Sequence, residues 1–243
     1  MKKIEDPSDP LLYPHVPPQE ENDFRWLLQY FGLTEFFTSM TFSQRFFVQS
    51  GDGDSVTMLE KGKNRIKLVY DDSNSKDRDW YGVLCTNALD PSGEGSFWKV
   101  QMNTIPQGTN MYDITLGITQ NLNLPQTDLL FLEETFYGWS HCGRYTSVGG
   151  KQSKTHCLGE IDRYKQGDCF YFRFKSRTLS MYDVRRDKLF VINYIGDSNI
   201  PSNPSLPTSK FYIHFIFGES GTAVTLGPMN AKERAVFENN EGS

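Results

Sequence analysis

No run in the 243-residue chain approaches the roughly 18 consecutive apolar residues that a membrane-crossing helix needs. The N-terminus, Met1-Lys2-Lys3-Ile4-Glu5-Asp6, turns acidic at once instead of entering the apolar core of a secretory signal. Cysteine is scarce: Cys85, Cys142, Cys157 and Cys169 are too few for a small secreted disulfide scaffold. The only Asn-x-Ser/Thr match, Asn203-Pro204-Ser205, is ruled out as a glycosylation acceptor by its proline. Together these absences predict an intracellular, reduced, cytoplasmic setting and no membrane partner. Excess basic charge is missing as well. The net charge of -5 argues against a nucleic-acid-binding surface, which needs a clustered basic face. The one basic run, Arg185-Arg186-Asp187-Lys188, is expected to be a solvated hairpin.

Catalytic and metal signatures are equally thin. The chain has no glycine-rich phosphate loop and no His-Glu-x-x-His helix. Two doublets, His141-Cys142 and His156-Cys157, invite a zinc reading, but adjacent residues on a strand point to opposite faces, so each doublet offers one ligand. Asp71 to Asp79 resembles a calcium loop until Lys76 stands where glycine is required and Gly82 where a bidentate glutamate is required. Gly218-Glu219-Ser220-Gly221 is one residue short of a nucleophile elbow and lies between strand patterns. Cys85 and Cys169 fall within apolar strand patterns, where small buried thiols pack. No metal, cofactor or catalytic residue is assigned, and an enzyme using Cys142 or Cys157 with a histidine is the minority alternative.

What the chain does have is aromatics, with 18 Phe, 12 Tyr and 4 Trp, among recurring turn formers. Residues 1–21 hold Pro7, Pro10, Pro14, Pro17 and Pro18 among acidic residues and read as an extended or disordered lead-in. Phe24, Leu27, Leu28 and Phe31, preceded by Asn22 and Asp23 and followed by Gly32, predict a short N-terminal helix over 23–31. Beyond Gly32 the period becomes two. Trp98, Val100 and Met102 share a face, as do Ile114, Leu116 and Ile118, then Phe170, Phe172 and Phe174, and finally Phe211, Ile213, Phe215 and Phe217. Half-buried antiparallel strands follow, separated by turns at 71–79, 90–95, 106–110, 121–126, 149–154 and 196–209, and Gly51-Asp52-Gly53-Asp54 reads as a hairpin turn. With no helical crossovers, the fold class is all-β: one two-sheet antiparallel β-sandwich over 22–230, its helix included. Residues 231–243 are a tail, with short helix and frayed end both open.

The order of several short motifs resembles the SPRY (B30.2-like) domain family from about Phe42 to Leu226. They are Ser96-Phe97-Trp98-Lys99-Val100, Ile114 to Ile118, Gly138-Trp139 with Gly143-Arg144 and Gly149-Gly150-Lys151, Gly167-Asp168, Thr178 to Tyr182, and Gly221 to Leu226. The central strand departs from the family pattern at Cys169 to Phe174, and so does the hairpin Asp183 to Arg186. The resemblance implies a bent, concanavalin-like sandwich acting as a non-enzymatic module that recognises a protein or short peptide. It further implies a substrate-recognition or adaptor role in ubiquitin-linked or signalling pathways. Carried over by position, the peptide-binding residues are Arg78, Trp80 and Tyr81 ahead of the Phe97-Trp98 strand, and Phe217 and Gly218 at the end of a late one. Phe217 also continues a core face, so packing is the competing reading for it. A lectin-like carbohydrate-binding sandwich is the alternative function.

Overall fold

Period-two alternation becomes fourteen strands among the residues that the computed structural model describes: 47–49, 56–60, 65–71, 81–107, 114–120, 136–140, 146–148, 151–153, 163–193, 195 and 210–241. The chain divides into two units after Ser39, and every described residue belongs to the second. The strands are β1 (Phe47–Gln49), β2 (Val56–Glu60), β3 (Ile66–Tyr70), β4 (Tyr81–Ala88), β5 (Ser96–Thr104), β6 (Ile114–Thr119) and β7 (Phe136–Ser140). They continue as β8 (Thr146–Val148), β9 (Lys151–Ser153), β10 (Cys169–Lys175), β11 (Thr178–Asp183), β12 (Lys188–Ile192), β13 (Tyr212–Phe217) and β14 (Ala223–Gly227). Two seven-stranded sheets result. Sheet A runs β1-β4-β13-β6-β7-β8-β9 and sheet B runs β12-β11-β10-β5-β14-β3-β2, with every pairing antiparallel.

The faces expected to be apolar meet between the sheets. Trp98, Val100 and Met102 of β5, Phe170, Phe172 and Phe174 of β10, and Ile213, Phe215 and Phe217 of β13 belong to one buried cluster. Trp98 stacks on its cross-strand partner Phe172 at 5.2 Å, and Trp139 of sheet A reaches Phe172 of sheet B at 6.3 Å. Each such ring contributes on the order of 2–3 kcal/mol of burial, so these aromatics dominate the adhesion of the two layers.

Several expectations need correction. β13, β6 and β7 are not half-buried: every residue on both faces of each strand is buried. On the outer face of sheet A, Gly117 of β6 lies opposite Gly138 of β7, and the Phe136 ring folds over both, so close that a Cβ on Gly117 would sit 2.7 Å from Phe136 Cζ. Gly51 to Asp54, expected as a hairpin turn, lie outside the described residues; β1 before them is in sheet A and β2 after them is in sheet B. The turn expected over 149–154 contains β9, whose Lys151 pairs with Val148. The β10–β11 hairpin turns through Ser176 and Arg177 with φ of 46° and 66°, left-handed values usually taken by Asn-Gly. This turn is held from outside by Ser176 N–H donating to the Pro91 carbonyl at 2.9 Å and Ile195 N–H donating to the Arg177 carbonyl at 3.0 Å.

The helix expected over 23–31 lies outside the described residues. The helix described is C-terminal: α1 (Ala231–Glu241). Asn230 caps it reciprocally, with Glu233 N–H donating to Asn230 Oδ1 at 3.0 Å and Asn230 N–H donating to Glu233 Oε2 at 2.7 Å. Its buried residue, Phe237, enters a second apolar cluster with Phe97, Tyr171, Tyr182 and Met229 on the outer face of sheet B.

Candidate functional site

Register brings Tyr81 and Phe217, one residue from each part of the sequence-derived site, to one end of sheet A. Tyr81, the first residue of β4, pairs with Phe217, the last of β13, and Phe217 also pairs with Ile114, the first of β6. β7 ends at this same edge with Ser140 opposite Thr115. The chain before Tyr81 and the chain after Phe217 therefore start from adjacent positions. Arg78 and Trp80 lie outside the described residues.

The connection from Phe217 crosses from sheet A to sheet B and is tied to the end of β3. Gly221 N–H donates to the Tyr70 carbonyl at 2.8 Å, Tyr70 N–H donates to the Thr222 carbonyl at 2.9 Å, and Thr222 Oγ1 donates to the Glu219 carbonyl at 2.7 Å. Ser220 Oγ bonds Asp71 Oδ1 at 3.2 Å. Gly221 holds φ of 90°, a conformation that side chains resist, so a glycine suits this turn.

Phe217 itself is not a contact residue. Its side chain is 0% exposed and stacks on Tyr70 and Phe215, each at 6.4 Å. The alternation that buries Ile213 and Phe215 carries Phe217 into the same core, and Gly218 is buried too. Truncating Phe217 would open a core cavity costing about 3–5 kcal/mol instead of sparing the fold.

The expected solvated hairpin is a charged clamp. Asp168 and Asp183 are each 1% exposed at the side chain. Arg185 grips Asp168 through Nε and Nη2, the latter at 3.1 Å, while Arg186 Nη1 pairs with Asp183. Asp183 Oδ1 also accepts the Arg185 and Arg186 backbone N–H groups at 3.1 and 3.2 Å, and Arg186 Nη2 donates to the Arg163 carbonyl at 2.8 Å. The β11–β12 hairpin is thus fastened to the segment entering β10. The signal in the sequence was Asp183 two and three residues ahead of the arginine doublet, the spacing of an Asx turn.

Burial suppresses the reactivity of Cys85, Cys169 and His214. Burial pushes the Cys85 thiol up to about 12 and the Cys169 thiol up to about 11, so neither supplies thiolate near neutral pH. Burial also drives His214 down to about 3, and neither ring nitrogen has a hydrogen-bond partner among the described residues. Both His-Cys doublets lie outside the described residues. Among the described residues no cluster of three or more His, Cys, Asp or Glu could hold a metal, and no helix is long and apolar enough to cross a membrane.

No protein-family profile and no curated protein matches the chain. Solved structures do. The SPRY domain of human HERC1 is similar at 12% identity and a TM-score of 0.44, over 73% of this chain and 96% of that one. Peanut lectin with a 9mer peptide is similar at 13% identity and a TM-score of 0.41, over 80% and 97%. The TRIM65 PSpry domain is similar at 13% identity and a TM-score of 0.43, over 79% and 89%.

Proposed function

We propose that the chain is a non-enzymatic recognition module that captures a protein or short peptide at the end of sheet A where Tyr81 pairs with Phe217, through Arg78, Trp80 and Tyr81 and the Phe217-Gly218 turn. The observation that carries this reading is the pairing of Tyr81 with Phe217, which makes two segments far apart in sequence start from neighbouring positions. Antiparallel sheets on both sides and the bonds from Tyr70 to the 218–222 turn provide a rigid base, as a site that binds without reorganising requires. Trp80 supplies contact area at low entropy cost, and Arg78 makes forked bonds to carbonyl or carboxylate groups. Phe217 acts beneath the site as its support. An acidic chain favours a protein partner over nucleic acid. In cells the module serves as a substrate-recognition or adaptor component.

The test is selection of ligands from a displayed peptide library and a glycan array, followed by calorimetry on variants. Trp80→Ala and Arg78→Ala are expected to weaken a selected peptide about tenfold or more with an unchanged melting temperature. Unchanged affinity in both variants refutes the site, and a harvest of glycans without peptides favours the lectin-like alternative.

A further inference from the structure

Glu233, Phe237 and Glu241 recur every four residues and so form one stripe along α1. Sheet B meets that stripe position by position. Glu233 pairs with Lys99 of β5, Phe237 sits edge-on to Phe97 at 6.1 Å, and Glu241 pairs with Arg173 of β10 while accepting from Ser180 Oγ of β11 at 3.0 Å. Arg173 and Arg234 both lie over the Phe97 ring, at 5.0 and 4.8 Å. Of the helix residues only Phe237 is fully buried, whereas Val236 is 43% exposed. Charge pairs flanking a single aromatic hold α1, in place of a broad apolar stripe. That division suits an exchangeable contact, since flanking charges set register and direction while one ring supplies the anchor.

We propose that the outer face of β5, β10 and β11 is a groove for amphipathic helices carrying an acid, an aromatic and a second acid four residues apart, with α1 as its resident occupant. A partner helix of the same spacing displaces α1. Charge complementarity identifies the occupant: Arg173, itself buried, requires a carboxylate where Glu241 stands, and Lys99 requires one eight residues earlier. Only Pro228 and Met229 separate β14 from the Asn230 cap, so α1 competes at high effective concentration, on the order of millimolar, and the groove opens to partners that bind better or when α1 is weakened. This surface is separate from the end of sheet A, and Trp80→Ala leaves it unchanged.

The experiment titrates a labelled peptide of residues 228–243 into the full chain, using fluorescence anisotropy. The Phe237→Ala chain is expected to bind it at least about tenfold more tightly than the unaltered chain, whose groove is filled. A Glu233→Lys/Glu241→Lys chain, which keeps the aromatic anchor, provides the same test if Phe237→Ala does not fold. Adding Lys99→Glu to the Phe237→Ala chain should abolish binding of the native peptide and restore binding of a Glu233→Lys peptide. Absence of binding to a folded weakened chain, or binding indifferent to the charge reversal, overturns the proposal.

Discussion

Acid should unfold this protein partly through one histidine. His214 is 1% exposed on the outer face of sheet A, beside Leu84 of β4 and Gly117 of β6 by register and edge-on to Phe136 at 5.5 Å. No charged residue occurs in β4, β13, β6 or β7 to stabilise an imidazolium, and the other titratable group on that face of these strands is the Tyr212 phenol, itself pushed up by burial. Burial lowers His214 from its ordinary 6.5 to about 3. The unfolded chain therefore takes up this proton first as pH falls, and stability intact above about pH 6.5 drains away on the path toward about pH 3. The loss attributable to His214 is ~2 kcal/mol at about pH 5 and levels off at ~5 kcal/mol. Because carboxylates also titrate in this range, the informative quantity is the difference between the unaltered chain and His214→Leu. The leucine fills the same apolar setting without a titrating group. Urea denaturation at about pH 7.5 and pH 5 should show the unaltered chain losing ~2 kcal/mol more than the variant. Equal losses in the two proteins would refute the account of a buried, unpaired imidazole.

Two further outcomes follow from the packing. Gly117→Ala should destabilise by more than ~2 kcal/mol and lower the thermal midpoint by several degrees, because the new methyl meets Phe136 Cζ and the Tyr137 carbonyl oxygen; a variant within a degree of the unaltered chain would contradict the close β6–β7 approach. Asp183→Asn keeps an acceptor for the Arg185 and Arg186 N–H groups but removes the charge that Arg186 pairs with; a loss of about 1–3 kcal/mol in urea denaturation is expected, with no loss telling against a clamp.

Much of the architecture was legible because alternation is a local signal. The inner faces of β5, β6, β10 and β13 are those that the alternating apolar residues marked, and Trp139 packs in the core beside Phe172. The outer face of sheet A was illegible for the complementary reason: Thr115, Ser140 and His214 look like solvent-facing residues, yet they are as inaccessible as the core. Phe217 shows two signals in conflict. Resemblance assigned it to binding and periodicity to packing, and the continuous β13 register resolved it as packing. Ser176-Arg177 carries no hairpin signature, since the Pro91 and Ile195 contacts that hold the turn come from distant parts of the chain. The letters leave residues 231–243 open between a short helix and a frayed end; the reciprocal Asn230–Glu233 cap decides for the helix, and nothing local reveals that sheet B receives it.

The position of β14 makes closure of sheet B depend on distant parts of the chain. Residues 223–227 are inserted between β5 and β3, two strands that lie far earlier in the sequence and do not pair with each other. Without those five residues sheet B would fall into two pieces with unpaired inner edges, a four-stranded β12-β11-β10-β5 ribbon and the β3-β2 pair. Closure of sheet B is therefore a long-range event, of the kind that slows folding and leaves strand edges open until it is complete.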